Sequence, residues 1–159
     1  FYRDYDGLLV PLADPQLDGE PPYLVVFDGR AYGGQVTFER ALSPELTVSG
    51  QATYTDSRDE DRGENIPFVP DWQGRLALHY KDSNGWRIEA IWRYTGSRTD
   101  AVGAELGGFG VFDLYLSRQF SPRLEVFARG TNLFDRTYEY WPGYVQLGRH
   151  VLAGARYRF

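Results

Sequence analysis

The chain has 159 residues, a formal net charge of −5, no cysteine and no methionine. The missing cysteines exclude a disulfide and a thiolate metal site, and an acidic balance with arginines spread along the chain argues against nucleic acid as a partner. No run of about 18 apolar residues occurs, which excludes a transmembrane helix and leaves a β-barrel as the one way through a bilayer.

Glycine (18 residues) and aromatics (16%) are plentiful, and helix formers do not dominate. Position 1 is not methionine, so we expect a processed chain or a segment of a longer one, and no signal peptide is visible. Eight strands are predicted, over 1–9, 23–42, 45–56, 69–81, 86–97, 109–120, 123–133 and 149–159. The first is followed by a long link over 10–22, marked by Pro11, Pro15, Pro21 and Pro22. Gly29, Gly33 and Gly34 are expected to bend the long second strand. Its second half sets Val36, Phe38 and Leu42 against Gln35, Thr37 and Glu39.

The same period-two alternation continues. Leu46, Val48, Gly50, Ala52 and Tyr54 oppose Thr47, Ser49, Gln51, Thr53 and Thr55. Trp72, Gly74, Leu76, Leu78 and Tyr80 oppose Gln73, Arg75, Ala77 and His79. After Asp82-Ser83-Asn84-Gly85, Trp86, Ile88, Ala90, Trp92 and Tyr94 oppose Arg87, Glu89, Ile91 and Arg93. Phe112, Leu114, Leu116 and Phe120 then oppose Asp113, Tyr115, Ser117 and Gln119, and Leu124, Val126 and Ala128 oppose Arg123, Glu125 and Arg129. In the last strand Val151, Ala153, Ala155, Tyr157 and Phe159 form the apolar set. Such alternation means one apolar and one polar face.

Two arginines, Arg40 and Arg118, interrupt the apolar face. Each lies two residues before an apolar residue and a Ser-Pro turn, where a long arginine snorkels to water. They belong to a weak internal repeat. Arg40-Ala-Leu-Ser-Pro-Glu-Leu-Thr-Val48 echoes Arg118-Gln-Phe-Ser-Pro-Arg-Leu-Glu-Val126 four strands later.

Connections alternate between tight (Ser43-Pro44, Asp82 to Gly85, Ser121-Pro122) and long (10–22, 57–67, 97–108, 134–147), as in an outer-membrane barrel with its long loops outside. Aromatics bracket the apolar face: Trp72 with Tyr80, and Trp86 with Trp92 and Tyr94. From Trp72 to Tyr80 a strand climbs roughly 26 Å at about 3.3 Å per residue. A tilt near 40° leaves about 20 Å, close to the apolar band of roughly 25 Å between aromatic girdles. An all-β, antiparallel transmembrane barrel is therefore expected. The alternatives are a self-contained eight-stranded barrel acting as an anchor or adhesin, and a soluble β-sandwich binding module.

The polar face carries Arg75, Arg87, Glu89, Arg93, Asp113 and Arg129. Since a lone arginine at the bilayer midplane costs about 2–4 kcal/mol, these are expected to face a lumen, against water or a plug. The loop residues Tyr138, Tyr140, Trp141 and Tyr144 are the ligand-contact candidates, because clustered aromatics offer rigid apolar area with polar tips. The loop from Asp56 to Glu64 is rich in acids but lacks EF-hand spacing, and is expected to be solvated. No catalytic motif, cofactor motif or metal-ligand spacing occurs, so neither enzyme activity nor a cofactor is expected.

The last third resembles the C-terminal end of TonB-dependent outer-membrane receptors. The resemblance rests on Asn132-Leu133-Phe134-Asp135, Pro142-Gly143-Tyr144, Gly148-Arg149 and Gly154-Ala155-Arg156-Tyr157-Arg158-Phe159. It extends over roughly 23–159 and is specific over 123–159. It implies that 1–159 is the C-terminal part of a 22-stranded barrel whose plug domain lies elsewhere in the receptor. It further implies import of a scarce ligand such as an iron–siderophore complex or cobalamin, with energy from the TonB complex. Gly154, Tyr157 and Phe159 resemble the family's assembly signal, read by the barrel assembly machinery, although Leu152 stands where that signal is often polar. Outer-membrane lipid, the plug and the assembly machinery are the partners implied.

Overall fold

The computed structural model describes residues 1–12, 23–60 and 63–159. Ten strands follow in chain order: β1 (Tyr2–Leu12), β2 (Tyr23–Ala41), β3 (Leu46–Asp59), β4 (Trp72–Lys81), β5 (Trp86–Thr95), β6 (Arg98–Thr99), β7 (Glu105–Leu106), β8 (Phe109–Ser121), β9 (Leu124–Thr131) and β10 (His150–Tyr157). Eight form one antiparallel sheet in the order β1-β2-β3-β4-β5-β8-β9-β10, each strand beside its neighbour in the chain. The remaining two, β6 and β7, make a small hairpin inside the 95–109 link, which sequence alternation was too short to reveal. The predicted link over 10–22 falls mostly outside the described residues.

The registers keep one face apolar across the sheet. Tyr54 pairs with Trp72, Gly50 with Leu76, Leu76 with Trp92, Ala90 with Leu114, and Leu116 with Ala128. At β10 the parity switches, so that Val151, Ala153, Ala155 and Tyr157 continue the same face opposite Gly130, Ala128, Val126 and Leu124. A one-residue slip would move all of these side chains to the other face.

The apolar face is left exposed, as it would not be in a water-soluble sheet. Leu76 is 50% exposed, Trp72 53%, Val36 70% and Val151 64%, while Asp113, Ser117, Ser57 and Asn132 are buried. A sandwich would cover the apolar face with a second sheet, and no second layer lies over it among the described residues. That removes the soluble-sandwich alternative. Strands β1 and β10 are the two edges of the sheet and do not touch each other, so the eight strands do not close on themselves. The self-contained eight-stranded barrel is overturned with them: the sheet is open.

Boundaries moved by one to three residues. Strand β3 runs to Asp59, three residues beyond expectation, because β2 pairs with it continuously as far as Gly29–Asp59. That register passes Gly33 and Gly34 unbroken. The irregularity lies in β1 between Tyr5 and Leu8, where Gly7 adopts φ 70°. Gly33 serves close approach instead, since a Cβ there would sit 2.0 Å from the Tyr54 carbonyl oxygen.

Candidate functional site

Three tight turns (42–45, 82–85 and 122–123) lie at one rim, and the described parts of the links 60–71, 96–108 and 132–149 lie at the other. The long-link rim carries the largest aromatic assembly. Phe109 at the start of β8 is buried, and Tyr138 and Tyr140 pack on its ring at 4.5 and 5.4 Å. Tyr138 and Tyr140 meet edge to face at 5.7 Å, and Trp141 lies 4.2 Å from Phe68 of the 60–71 link. The ligand-contact candidates thus divide. Tyr138 is half-buried, Tyr140 and Trp141 keep a little over two-fifths of their surface, and Tyr144 is 71% exposed.

Arg98, which was not among the predicted site residues, holds this assembly. Its side chain is 6% exposed, its guanidinium lies over the Phe109 ring, and Nη2 donates to the Glu139 and Tyr140 carbonyls. Burial lowers its pKa, yet guanidinium remains charged in proteins. Burial also raises the Tyr138 phenol, with Tyr140 adding to the shift. A lone arginine among small polar residues, Ser97-Arg98-Thr99, was the available signal in the sequence.

The base of the 132–149 loop is fixed by Asn132, buried and left-handed at φ 50°. Its Nδ2 donates to the carbonyls of Arg136 (2.9 Å) and Leu147 (3.2 Å), and its Oδ1 accepts from the Arg136 N–H at 2.9 Å. Asparagine tolerates this backbone region better than most residues. Asp135 adds a second tie, accepting the Arg149 N–H at 2.7 Å. The Asn-Leu-Phe-Asp segment is therefore a loop anchor as well as a strand end.

Below the loop, the polar face carries the predicted charges. Arg93 donates to Asp113, and the other carboxylate oxygen of Asp113 accepts the Asn132 N–H at 3.0 Å. Arg75 stands directly opposite Arg93, with Gln51 on its other side. A cleft of about 240 Å³ is lined by these three residues with Gln73 and Tyr140. Glu89 faces His79 at 3.7 Å, Arg87 lies opposite Lys81 and Ser117, and Arg129 opposite Tyr115 and Leu152. Arg156 joins Glu125 at 2.9 Å. No group of side chains that could hold a metal ion occurs among the described residues.

The bracketing aromatics form two rows on the apolar face. Toward the long-link rim stand Trp72, 5.0 Å from Tyr54, together with Tyr94 and Trp92, whose ring lies 6.3 Å from Phe134. Toward the short-turn rim stand Tyr80, whose hydroxyl donates to Asp82 at 3.4 Å, and Trp86, beneath the Arg118 guanidinium. Tyr157 and Phe159 extend that second row, edge to face at 5.4 Å. Gly154 lies on the polar face, where an added Cβ would meet the Phe127 ring at 2.8 Å, so it makes room for that ring.

An exposed apolar face between two aromatic rows, backed by a charged polar face in which Asp113 and Ser117 are buried, is the arrangement of a sheet that divides lipid from an aqueous lumen. The family model described as "TonB dependent receptor-like, beta-barrel" matches residues 1–133. The chain belongs to this family. Residues 134–159 lie outside the match, although the sequence resemblance was most specific there. Solved structures cover that stretch. The copper transporter OprC superposes over 99% of this chain with a TM-score of 0.75 at 17% identity. The ferric-catecholate import receptor Fiu from E. coli K12 covers 99% at 0.73 and 21% identity, and the ferric yersiniabactin uptake receptor FyuA from Yersinia pestis covers 85% at 0.75 and 20%. The chain spans 28%, 24% and 25% of those three proteins.

Proposed function

We propose that this chain is wall and outer mouth of an outer-membrane receptor that imports a scarce ligand of the iron–siderophore or cobalamin class. On this reading 1–159 is the C-terminal part of a 22-stranded barrel, and the polar face meets the plug domain of the same receptor. Through the plug, the TonB complex supplies energy. Gly154, Tyr157 and Phe159 then form the signal read by the barrel assembly machinery. The role is transport and involves no catalysis.

One observation carries the ligand-contact part. The loop with Tyr138, Tyr140 and Trp141 is strapped over the polar face by Arg98, with Tyr140 lining the Arg75–Arg93 cleft. Aromatic faces beside guanidinium groups suit an anionic chelate with flat, partly apolar parts. The relatives named for ferric catecholate and ferric yersiniabactin uptake fit this class. The test is growth of a deletion strain on a panel of ferric chelates and cobalamin. Complementation with the intact gene should restore one ligand. Tyr140→Ala and Trp141→Ala should weaken its capture about tenfold, given the 1–3 kcal/mol typical of truncating an aromatic contact residue. Unchanged growth of the deletion strain on every ligand would refute import.

A further inference from the structure

The paired Arg-x-apolar-Ser-Pro segments end β2 and β8, and the turns explain only part of them. Ser121 Oγ accepts the N–H groups of Arg123 (3.3 Å) and Leu124 (3.1 Å), and Ser43 Oγ accepts that of Glu45 at 3.2 Å. The serines close the turns and the prolines stiffen them. Neither arginine takes part. Arg118 stands opposite Trp86 and Val126, and Arg40 opposite Val48, all on the apolar face. Neither has an ion-pair or hydrogen-bond partner among the described residues.

Arg118 is nevertheless held in place. Its guanidinium carbon lies 5.0 Å from the Trp86 ring centroid and 4.9 Å from that of Phe120. These cation–π contacts leave its five N–H donors without an oxygen acceptor among the described residues. The residue sits in the aromatic row at the short-turn rim, the level at which a bilayer places its headgroups. The anion available there is phosphate, whose oxygens match the guanidinium fork.

We propose that Arg118, between Trp86 and Phe120, binds the phosphate of a phospholipid headgroup in the leaflet at the short-turn rim. Arg40 is a second and weaker site, because no aromatic ring among the described residues lies over it. The inference rests on the membrane placement proposed above and is independent of what the receptor imports.

The test uses the intact receptor, taken from the outer-membrane fraction into detergent and stripped of lipid. Phosphatidylglycerol is titrated back and the bound lipids are counted by native mass spectrometry. A single interfacial arginine is worth about fivefold in binding to an anionic lipid. Arg118→Gln should lose about that factor, Arg40→Gln less, and Arg118→Lys should fall between parent and Arg118→Gln. Millimolar inorganic phosphate should not displace the lipid. Equal binding by parent and Arg118→Gln overturns the proposal, and so does displacement by inorganic phosphate, which would mark an unspecific anion site. Folding is checked by heat-modifiable gel migration. If Arg118→Gln does not fold, Arg118→Lys carries the test, and binding equal to the parent then overturns the proposal. A parent receptor absent from the outer-membrane fraction fails the membrane reading itself, a different result from normal membrane placement with no lipid preference.

Discussion

Asn132 gives the sharpest test of how the outer loop is held. Its side chain makes three hydrogen bonds, to the Arg136 carbonyl, the Leu147 carbonyl and the Arg136 N–H. Its backbone is left-handed at φ 50° in a buried setting. Asn132→Gly removes the bonds and keeps the backbone cheap. At about 1 kcal/mol net per bond, it should destabilise the closed loop by roughly 3 kcal/mol. Asn132→Ala removes the same bonds and adds the left-handed penalty of about 1–2 kcal/mol. The order is therefore parent, then glycine, then alanine, although alanine is the better residue in most contexts. Amide hydrogen exchange of the intact receptor reads this at the Arg136 N–H. Protection should fall about 10²-fold in Asn132→Gly and about tenfold further in Asn132→Ala, with β8 and β9 unaffected. Alanine as protected as glycine would refute the backbone argument, and parent-like protection in both would refute the anchor.

Other outcomes follow from the two faces and the loop cluster. Leu76→Arg, at the centre of the apolar face, should cost about 2–4 kcal/mol of stability in lipid, whereas Thr37→Arg on the polar face should cost little. Denaturant titration of the intact receptor in bilayers, read by gel migration, checks the contrast. Arg98→Ala should free the Glu139 and Tyr140 carbonyls and make the 138–145 segment cleavable by protease added to whole cells. Arg98→Lys should rescue little, because an ammonium lacks the planar fork. The Tyr138 phenol, raised by burial, stabilises the loop below its ordinary value near 10, and that contribution is lost as pH rises through the raised value. Protease resistance at 138–145 should therefore decline in strong alkali for the parent and decline less for Tyr138→Phe.

Strand alternation made the sheet legible because each strand has one lipid-type and one polar face, so period two persists for eight or more residues. The even set from Trp72 to Tyr80 appears in the structure on one face, and the register sets it beside the apolar sets of both neighbouring strands. The hairpin β6–β7 was not legible, since two-residue strands carry no period. Closure was not legible either. Whether eight strands meet edge to edge depends on strand tilt and on what else lies in the barrel, and no local pattern encodes that. In the loop, the aromatic residue types were readable but their division was not. Tyr138 and Tyr144 look alike in sequence, and only the position of Phe109 across the rim buries one and leaves the other exposed.

The loop and the wall are one polar construction. Arg93 on β5 donates to Asp113 on β8, Asp113 accepts the Asn132 N–H, and Asn132 binds both ends of the loop through Arg136 and Leu147. Asp113 and Asn132 are buried, so an unmet partner at either would cost more than an exposed one. The polar-face charge at Asp113 therefore has a structural task that most of its exposed counterparts lack. It connects a strand that must match the bilayer to a loop that need not. Arg75, opposite Arg93, has no ion pair with a carboxylate among the described residues, and neither have Arg87 and Arg129 on the same face, so the structural task falls to Arg93 and Asp113.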